Sequence, residues 1–389
     1  MLHNHPCDMN AAKFEASRRP LTPEEIDDIR PWLLNSAVFF NITLHPQALR
    51  QDNEGCLQPS CTPVLEEKHC WLPRSIEYPT AQLMVTLLLW IGFTCLTWHL
   101  IIPLLTILFH YSIGRVLYSK RKQLKGAGQW AIITGSTDGI GKAFAEELAS
   151  DGLNIMLISR NSEKLQAVAG ELGATYNVSV RCVTADFTQA DIYENVKKEI
   201  DSLPSIACLV NNVGMVNVNP EEFAFADGMC EENIQKFIAC NCLSMASMTH
   251  IVLPRLIMQN SGAALINISS YSGYHPLPYV SLYAATKAFV RHLSQSLNLE
   301  VQGKNVVIQT IIPMYVATSM VSGRRGFFVV SPRSCAKASL DMLGVESLSC
   351  GHIRHAFQIW YFSLLPQYFL NLSMEGKLER AKRRMSKLK

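Results

Sequence analysis

Hydrophobic and polar positions fall into three regimes along the chain. Residues 78–114 contain no Asp, Glu, Lys or Arg, with Leu83-Met-Val-Thr-Leu-Leu-Leu-Trp90 and Ile101-Ile-Pro-Leu-Leu-Thr-Ile-Leu-Phe109 as their apolar heart. About 20 such residues cross a bilayer, so residues 81–113 are expected to form a transmembrane segment. As one helix these 37 residues would measure about 55 Å, against about 30 Å of hydrocarbon. One crossing is the preferred reading; a hairpin broken near His99 and Pro103 is the alternative. From residue 129 onward short apolar runs (129–134, 153–159, 178–184, 206–211, 263–269 and 306–312) alternate with helical periods such as 143–150 and 231–258. Runs buried on both faces and separated by helices predict an α/β fold of the Rossmann type, a parallel sheet doubly wound by helices. Residues 1–80 show neither period and read as an irregular extension, apart from a short helix that Thr22 could cap.

Composition sharpens this picture in three places. A mean hydropathy of +0.11 is high for a soluble protein and agrees with a membrane segment. A net charge of +3 from 35 basic and 32 acidic residues leaves no basic footprint for nucleic acid. Twelve cysteines without a Cys-x-x-Cys or His-Glu-x-x-His spacing give no sign of a zinc site. The apolar stretch begins too late for a cleaved signal peptide. It is followed by Arg115, Lys120, Arg121, Lys122 and Lys125, which should keep the downstream side cytosolic. A single crossing would then place residues 1–80 in a lumen, where Asn41-Ile-Thr43 is a glycosylation acceptor and Cys7, Cys56, Cys61 and Cys70 are able to pair.

The first apolar run of the α/β region ends in Thr134-Gly-Ser-Thr-Asp-Gly-Ile-Gly141 and leads into a helix. Glycines allow a tight turn and close approach to a pyrophosphate, which the free N–H groups of a helix start can bind. Gly135, Ser136, Asp138, Gly139, Ile140 and Gly141 are therefore candidate cofactor contacts. The second run ends at Arg160, 19 residues past Gly141. An acid there would hold the ribose hydroxyl of NAD, whereas Arg suits the 2′-phosphate of NADP, with Lys142 adding charge. The candidate reaction centre is Ser270, Tyr283 and Lys287. Tyr283 and Lys287 are spaced i, i+4 and share one helix face; a nearby ammonium should lower the phenol pKa, letting Tyr283 pass a proton to a carbonyl oxygen. Ser270, at the end of the fifth run, would orient the same oxygen.

The glycine motif, Asn211-Asn-Val-Gly214, Ser270 and Tyr283-x-x-x-Lys287 together resemble the short-chain dehydrogenase/reductase family over residues 128–320. The resemblance implies NADP(H) as cofactor, Tyr283 as proton donor, Lys287 on the nicotinamide ribose and Ser270 on the substrate. It also implies that Asn241 holds a water linking Lys287 to solvent, that Asp186 lies beside adenine and that Asn212 runs along the adenosine ribose. Gln129-Trp-Ala-Ile-Ile-Thr-Gly135, Leu157-Ile-Ser-Arg160 and Leu209-Val-Asn-Asn-Val-Gly-Met215 look like the membrane-bound branch of 17β-hydroxysteroid dehydrogenase type 3 and very-long-chain 3-oxoacyl-CoA reductase. Tyr315-Val-Ala-Thr-Ser-Met320 looks like the hydroxysteroid dehydrogenase-like protein of that branch, in which Phe replaces the catalytic Tyr. Pro313-Met314 stands where the family usually has Pro-Gly, and residues 1–80 match nothing in it.

Residues 321–389 are expected to supply a substrate lid, an amphipathic helix and a basic tail, since Phe357-Gln-Ile-Trp-Tyr-Phe-Ser-Leu-Leu365 is aromatic and the last 13 residues carry seven basic side chains. The resulting expectation is an NADPH-dependent ketone reductase of the endoplasmic-reticulum membrane with a cytosolic catalytic domain and no nucleic-acid partner. Its lipophilic substrate would be a 17-keto steroid first and a 3-oxoacyl-CoA second. A catalytically silent nucleotide-binding scaffold is the reading of another class, and a homodimer is left open.

Overall fold

A strand covered on both faces is largely apolar, and the six expected runs become strands: β1 (Trp130–Thr134), β2 (Asn154–Ser159), β3 (Val180–Thr184), β4 (Ile206–Asn211), β5 (Ala263–Ile268) and β6 (Val306–Ile311); all are almost wholly buried but β3, an edge strand that exposes Arg181 and Thr184. The structure is a computed structural model that describes residues 77–216, 220–226, 229–321 and 326–386. Asn41, the four N-terminal cysteines, the turn capped by Thr22 and Lys387 lie outside these residues. The chain divides into two compact units, Met1–Gln82 and Leu83–Lys389, of which the second carries the α/β fold.

All strands are parallel, in the order β3-β2-β1-β4-β5-β6-β7, where β7 is Leu348–Ser349. Side chains alternate between two cores: Ile133, Leu157, Val210 and Ile266 face one layer of helices, Ile132, Ile158, Leu209 and Leu265 the other. In chain order the helices used below are α1 (Glu77–Leu96), α2 (Ile102–Phe109), α3 (Gly139–Ser150), α4 (Ser162–Tyr176), α5 (Tyr193–Asp201), α6 (Glu231–Ile238), α7 (Ser244–Gln259), α8 (Ser281–Glu300), α9 (Pro332–Asp341), α10 (Ile353–Ser363) and α11 (Gln367–Ser386). The sheet order reverses direction between β1 and β4, and such a reversal opens a crevice at the carboxyl ends of the strands. Helix α9 packs on α3, and β7 extends the sheet beyond β6, so the α/β unit continues past residue 320. A two-residue strand has no period to read, which is why β7 escaped the sequence.

Residues 77–118 form one helical rod: α1, a π turn (Thr97–Ile101), α2, a second π turn (His110–Gly114) and a last turn (Arg115–Tyr118). Leu96, Ile101, Phe109 and Gly114 at the junctions keep right-handed helical dihedrals, so the chain does not reverse at His99 or Pro103 and no hairpin forms. Pro103 lacks an N–H and its ring opposes the carbonyl four residues back; the wide π turn just before it takes up the misfit. The rod is long and apolar enough to cross a membrane, and its apolar window is wholly uncovered by the rest of the fold.

Its surplus length has a different use. Helix α2 packs on α10, Tyr111 is buried with Met342 and Ala356, and His110 Nδ1 lies 3.2 Å from Glu346 Oε2. The rod therefore docks its last apolar turns on the α/β unit instead of turning back. Just beyond it, Arg121 donates to Asp151 at 2.7 Å, Glu147 at 2.9 Å and Asp341 at 2.9 Å, pinning the connection to α3 and α9. Helix α6–α7 also passes a length-and-composition test for a span, but half of its apolar window is buried against the sheet, where it forms part of the core.

Candidate active site

Each strand from β1 to β5 delivers a candidate residue at its carboxyl end, which is how five distant stretches of sequence reach one edge. After β1, Gly135 and Gly139 hold φ of +63° and +56°, a region that costs an L side chain dearly. A Cβ at Gly141 would stand 2.2 Å from the Gly135 carbonyl and 2.4 Å from Asn212 Nδ2. The backbone can curl this tightly only without side chains, and that leaves the start of α3 open to an anionic group. The polar residues of the turn bond to the protein itself. Ser136 is fully buried with its Oγ 3.5 Å from the Ile158 carbonyl, Asp138 caps α3 by accepting from Gly139 N at 2.6 Å, and its other oxygen accepts from Ser319. Ile140 packs between two apolar clusters, so only its backbone faces the crevice.

Asn212 braces the same turn from the end of β4. Its Nδ2 donates to the carbonyls of Thr134 and Gly135, both at 3.0 Å, so the amide clamps the glycine turn at the edge where the ribose was expected. Thr134 completes the clamp: its Oγ1 accepts from the N–H of Asn212 at 3.0 Å and of Val213 at 3.1 Å. Asp186, after β3, folds over Thr188, accepting from its N–H and hydroxyl at 3.0 Å each through a single carboxylate oxygen. Arg160, after β2, is exposed and makes no ion pair among the described residues. Lys142 is instead bonded to Glu171 at 2.6 Å and adds no free charge beside it. Arg160 is thus the cation at this strand end without an ion pair among the described residues. Arg160→Asp is expected to shift the NADPH-to-NADH preference by about 100-fold, the worth of one charged hydrogen bond. Steady-state kinetics with both cofactors check this, and an unchanged ratio would remove Arg160 from the role.

The reaction centre lies between β5 and α8. Ser270 is half-buried and its Oγ accepts from Ser272 N at 3.3 Å and sits 3.1 Å from Ser272 Oγ. The Ser270 hydroxyl lies close enough to the Tyr283 phenol to act on its pKa, so both can face one carbonyl oxygen. Lys287, one turn further on α8, is buried, with Nζ 5.9 Å from the Tyr283 ring centre and 2.9 Å from the Ile268 carbonyl. Burial lowers its pKa to about 8. The Tyr283 phenol does not follow the sequence expectation: burial pushes it above its ordinary value of 10.0, and the Ser270 hydroxyl offsets only part of that. The reason is that desolvation penalises a phenolate more than a cation engaged elsewhere can repay. A phenol that keeps its proton at neutral pH is equipped to donate it, which suits reduction of a carbonyl.

Asn241 sits in a π turn (Ala239–Leu243) between α6 and α7 and is buried. Its Oδ1 accepts from Met215 N at 2.7 Å, while Nδ2 donates to the Met215 carbonyl at 2.9 Å and to Thr286 Oγ1 at 3.0 Å. The side chain joins the loop after β4 to α8 from within the π turn. Three participants were not identified from the sequence. Thr286 is Asn241's partner. Gly273 lets the turn after β5 press on α8, since a Cβ there would lie 2.4 Å from the Lys287 carbonyl carbon. His355, fully buried, has Nε2 3.2 Å from the Tyr315 carbonyl and accepts from Met314 N at 3.4 Å through Nδ1. Burial drops its pKa to about 4, so it is a neutral strut under the loop after β6. Of the three only the Ser270-Tyr-Ser-Gly273 turn left a trace in the sequence.

Comparison with known proteins places this geometry. Residues 129–326 match the short chain dehydrogenase family model. The very-long-chain 3-oxoacyl-CoA reductase of Anas platyrhynchos is 40% identical over 253 residues, which is 64% of this chain and 80% of that protein. The human inactive hydroxysteroid dehydrogenase-like protein 1 is 37% identical over 258 residues, 65% of this chain and 77% of its own length. Among solved structures, a short-chain dehydrogenase from Sphingobium yanoikuyae in complex with NADPH superposes with a TM-score of 0.51 at 29% identity, over 57% of this chain and 86% of that one. Fold, glycine cradle and relatives agree, and the chain belongs to the short-chain dehydrogenase family as an NADP(H)-binding oxidoreductase that interconverts C=O and CH–OH.

Proposed function

We propose that the protein is a membrane-anchored, NADPH-dependent reductase of long-chain 3-oxoacyl-CoA. The observation that carries this is the grouping of Ser270, Tyr283 and buried Lys287 between the end of β5 and α8, in a chain 40% identical to a reductase of that name. The 17-keto steroid expected first from the sequence becomes the second choice, because the relatives favour the acyl-CoA.

The nicotinamide of NADPH, when bound, supplies a hydride to the carbonyl carbon. Gly135, Gly139 and Gly141 would let the backbone reach the cofactor's phosphates, Arg160 would hold the 2′-phosphate and Asp186 would lie at the adenine end. Ser270 and Tyr283 orient the substrate oxygen through two hydrogen bonds. As the C=O bond opens, Tyr283 gives its proton to the oxygen, so hydride and proton together turn C=O into CH–OH. Lys287 holds the ribose, and a water at the Asn241 turn returns a proton to the pair.

The rod of residues 83–101 would lie in the endoplasmic-reticulum membrane with the α/β unit in the cytosol. Arg115, Lys120, Lys122 and Lys125 support that orientation; Arg121 does not contribute, being spent on its three acids. The test uses microsomes carrying the full chain, NADPH, and a mixture of androstenedione and a long-chain 3-oxoacyl-CoA, read by mass spectrometry. A 3-hydroxyacyl-CoA that disappears in Tyr283→Phe is the expected result; a 17-hydroxy steroid alone would transfer the reading to steroids. The similarity to a relative named inactive favours one further reading, a silent nucleotide-binding protein, and absence of any product from a chain that binds NADPH would select it.

A further inference from the structure

Large apolar side chains face solvent around the mouth of the cleft. Phe225 projects from the loop after β4, Phe327 from the loop after β6, and Tyr361, Tyr368, Phe369 and Leu372 from the elbow joining α10 to α11. Exposed aromatics gathered from several separate segments are unusual on a surface that meets only water. Helix α11 holds the group at the cleft. Gln367 Nε2 donates to the Pro276 carbonyl at 3.0 Å, Lys377 Nζ to Tyr315 Oη at 3.2 Å, and Lys382 Nζ lies 3.4 Å from Glu222 Oε1. Those partners sit on the loops after β5, β6 and β4, the loops that surround Ser270 and Tyr283. The expected basic tail is therefore a helix laid across the cleft over most of its length.

A second observation says what covers this patch. The elbow grows out of α10, and α10 is the helix on which the apolar rod docks through α2. The aromatic rim thus adjoins the rod, which is long and apolar enough to cross a membrane and whose apolar window the rest of the fold leaves uncovered. Basic groups lie among the aromatics, as at membrane interfaces: the Arg354 guanidinium stacks 4.5 Å from the Phe327 ring centre and donates to its carbonyl at 3.1 Å.

We infer that the α10–α11 elbow and the aromatic loops form a second contact with the lipid bilayer, so that the cleft opens onto the membrane and a lipophilic carbonyl substrate enters from the lipid. This rests on the membrane placement of the rod proposed above. Tyr and Phe bury an apolar body at the headgroup level while Lys and Arg reach phosphates, a division of labour that fixes depth without insertion of a second span.

The experiment places the photoreactive residue p-benzoylphenylalanine, in separate full-length chains in phospholipid nanodiscs, at Leu88 on the rod, at Tyr368 and Phe225 on the rim, and at Met258 and Leu299. The last two are as exposed as Tyr368 (76% and 65% against 68%) but close α7 and α8, at the opposite edge of the sheet. The expected result is lipid adducts at Leu88, Tyr368 and Phe225, at least fivefold above Met258 and Leu299. Adducts at Leu88 without any at Tyr368 would overturn the inference and leave the rod in the membrane. No adduct at Leu88 would remove the membrane placement itself. Equal labelling at Met258, or crosslinks from Tyr368 to a second protein chain, would also overturn it.

Discussion

Replacing Tyr283 by Phe should cut kcat by about 1,000-fold while NADPH binding stays within twofold. The substitution deletes one hydroxyl and keeps the ring, so the half-buried packing on α8 survives. What disappears is the donor that faces the substrate oxygen together with Ser270. Because burial keeps the phenol protonated at neutral pH, no other described group at that position offers a proton on demand. Steady-state NADPH oxidation gives kcat, and quenching of NADPH fluorescence gives cofactor binding. More than a tenth of the wild-type rate in the variant would show that the proton comes from elsewhere.

Lys287→Met should lower kcat/KM at least 100-fold and remove a gain in stability that the wild type makes in alkali. Lys287 titrates near pH 8 in the folded chain against 10.5 when free. Below pH 8 folded and unfolded chains both hold the proton; between 8 and 10.5 only the unfolded chain does. Unfolding in that window takes up a proton, so the contribution of this site to folded-state stability rises with pH, by about 3 kcal/mol across the window. The Met variant loses this gain. Guanidinium unfolding of the detergent-solubilised proteins at pH 7.5 and pH 10 measures it as a difference between the two chains, which cancels the other titrating groups. An equal pH response in both would mean that Lys287 is not buried as a cation.

How much of this was legible beforehand depends on what kind of force set each feature. The six main strands could be read because burial on both faces leaves an apolar run, and each lies within two residues of its expected limits. The rod's course could not, because composition does not distinguish lipid from protein as the cover for Ile107 or Tyr111. Only packing on α10 shows that the last apolar turns are docked. Among site residues, Gly135, Gly139, Gly141, Ser270, Tyr283 and Lys287 were recognisable by type and spacing, since steric room and reactive groups are properties of single residues. The duties of Asp138, Asn212 and Asn241 were not. Each is polar at the right edge of the sheet, yet its side chain is spent on a neighbouring backbone group, and the sequence does not reveal which partner a hydrogen bond will take. The pKa of Tyr283 failed for a related reason: spacing places Lys287 near it but says nothing of the desolvation that outweighs the charge.

The most direct test of the central claim follows the hydride itself. NADPH carrying deuterium at the transferable C4 position would be given, with a long-chain 3-oxoacyl-CoA, to nanodisc-embedded wild-type protein and to Tyr283→Phe, and the products read by mass spectrometry. The account predicts a 3-hydroxyacyl-CoA bearing one deuterium on the carbinol carbon, formed by the wild type and about 1,000-fold slower in the variant. A product without the label, or labelled product formed at the same rate by both proteins, would contradict it.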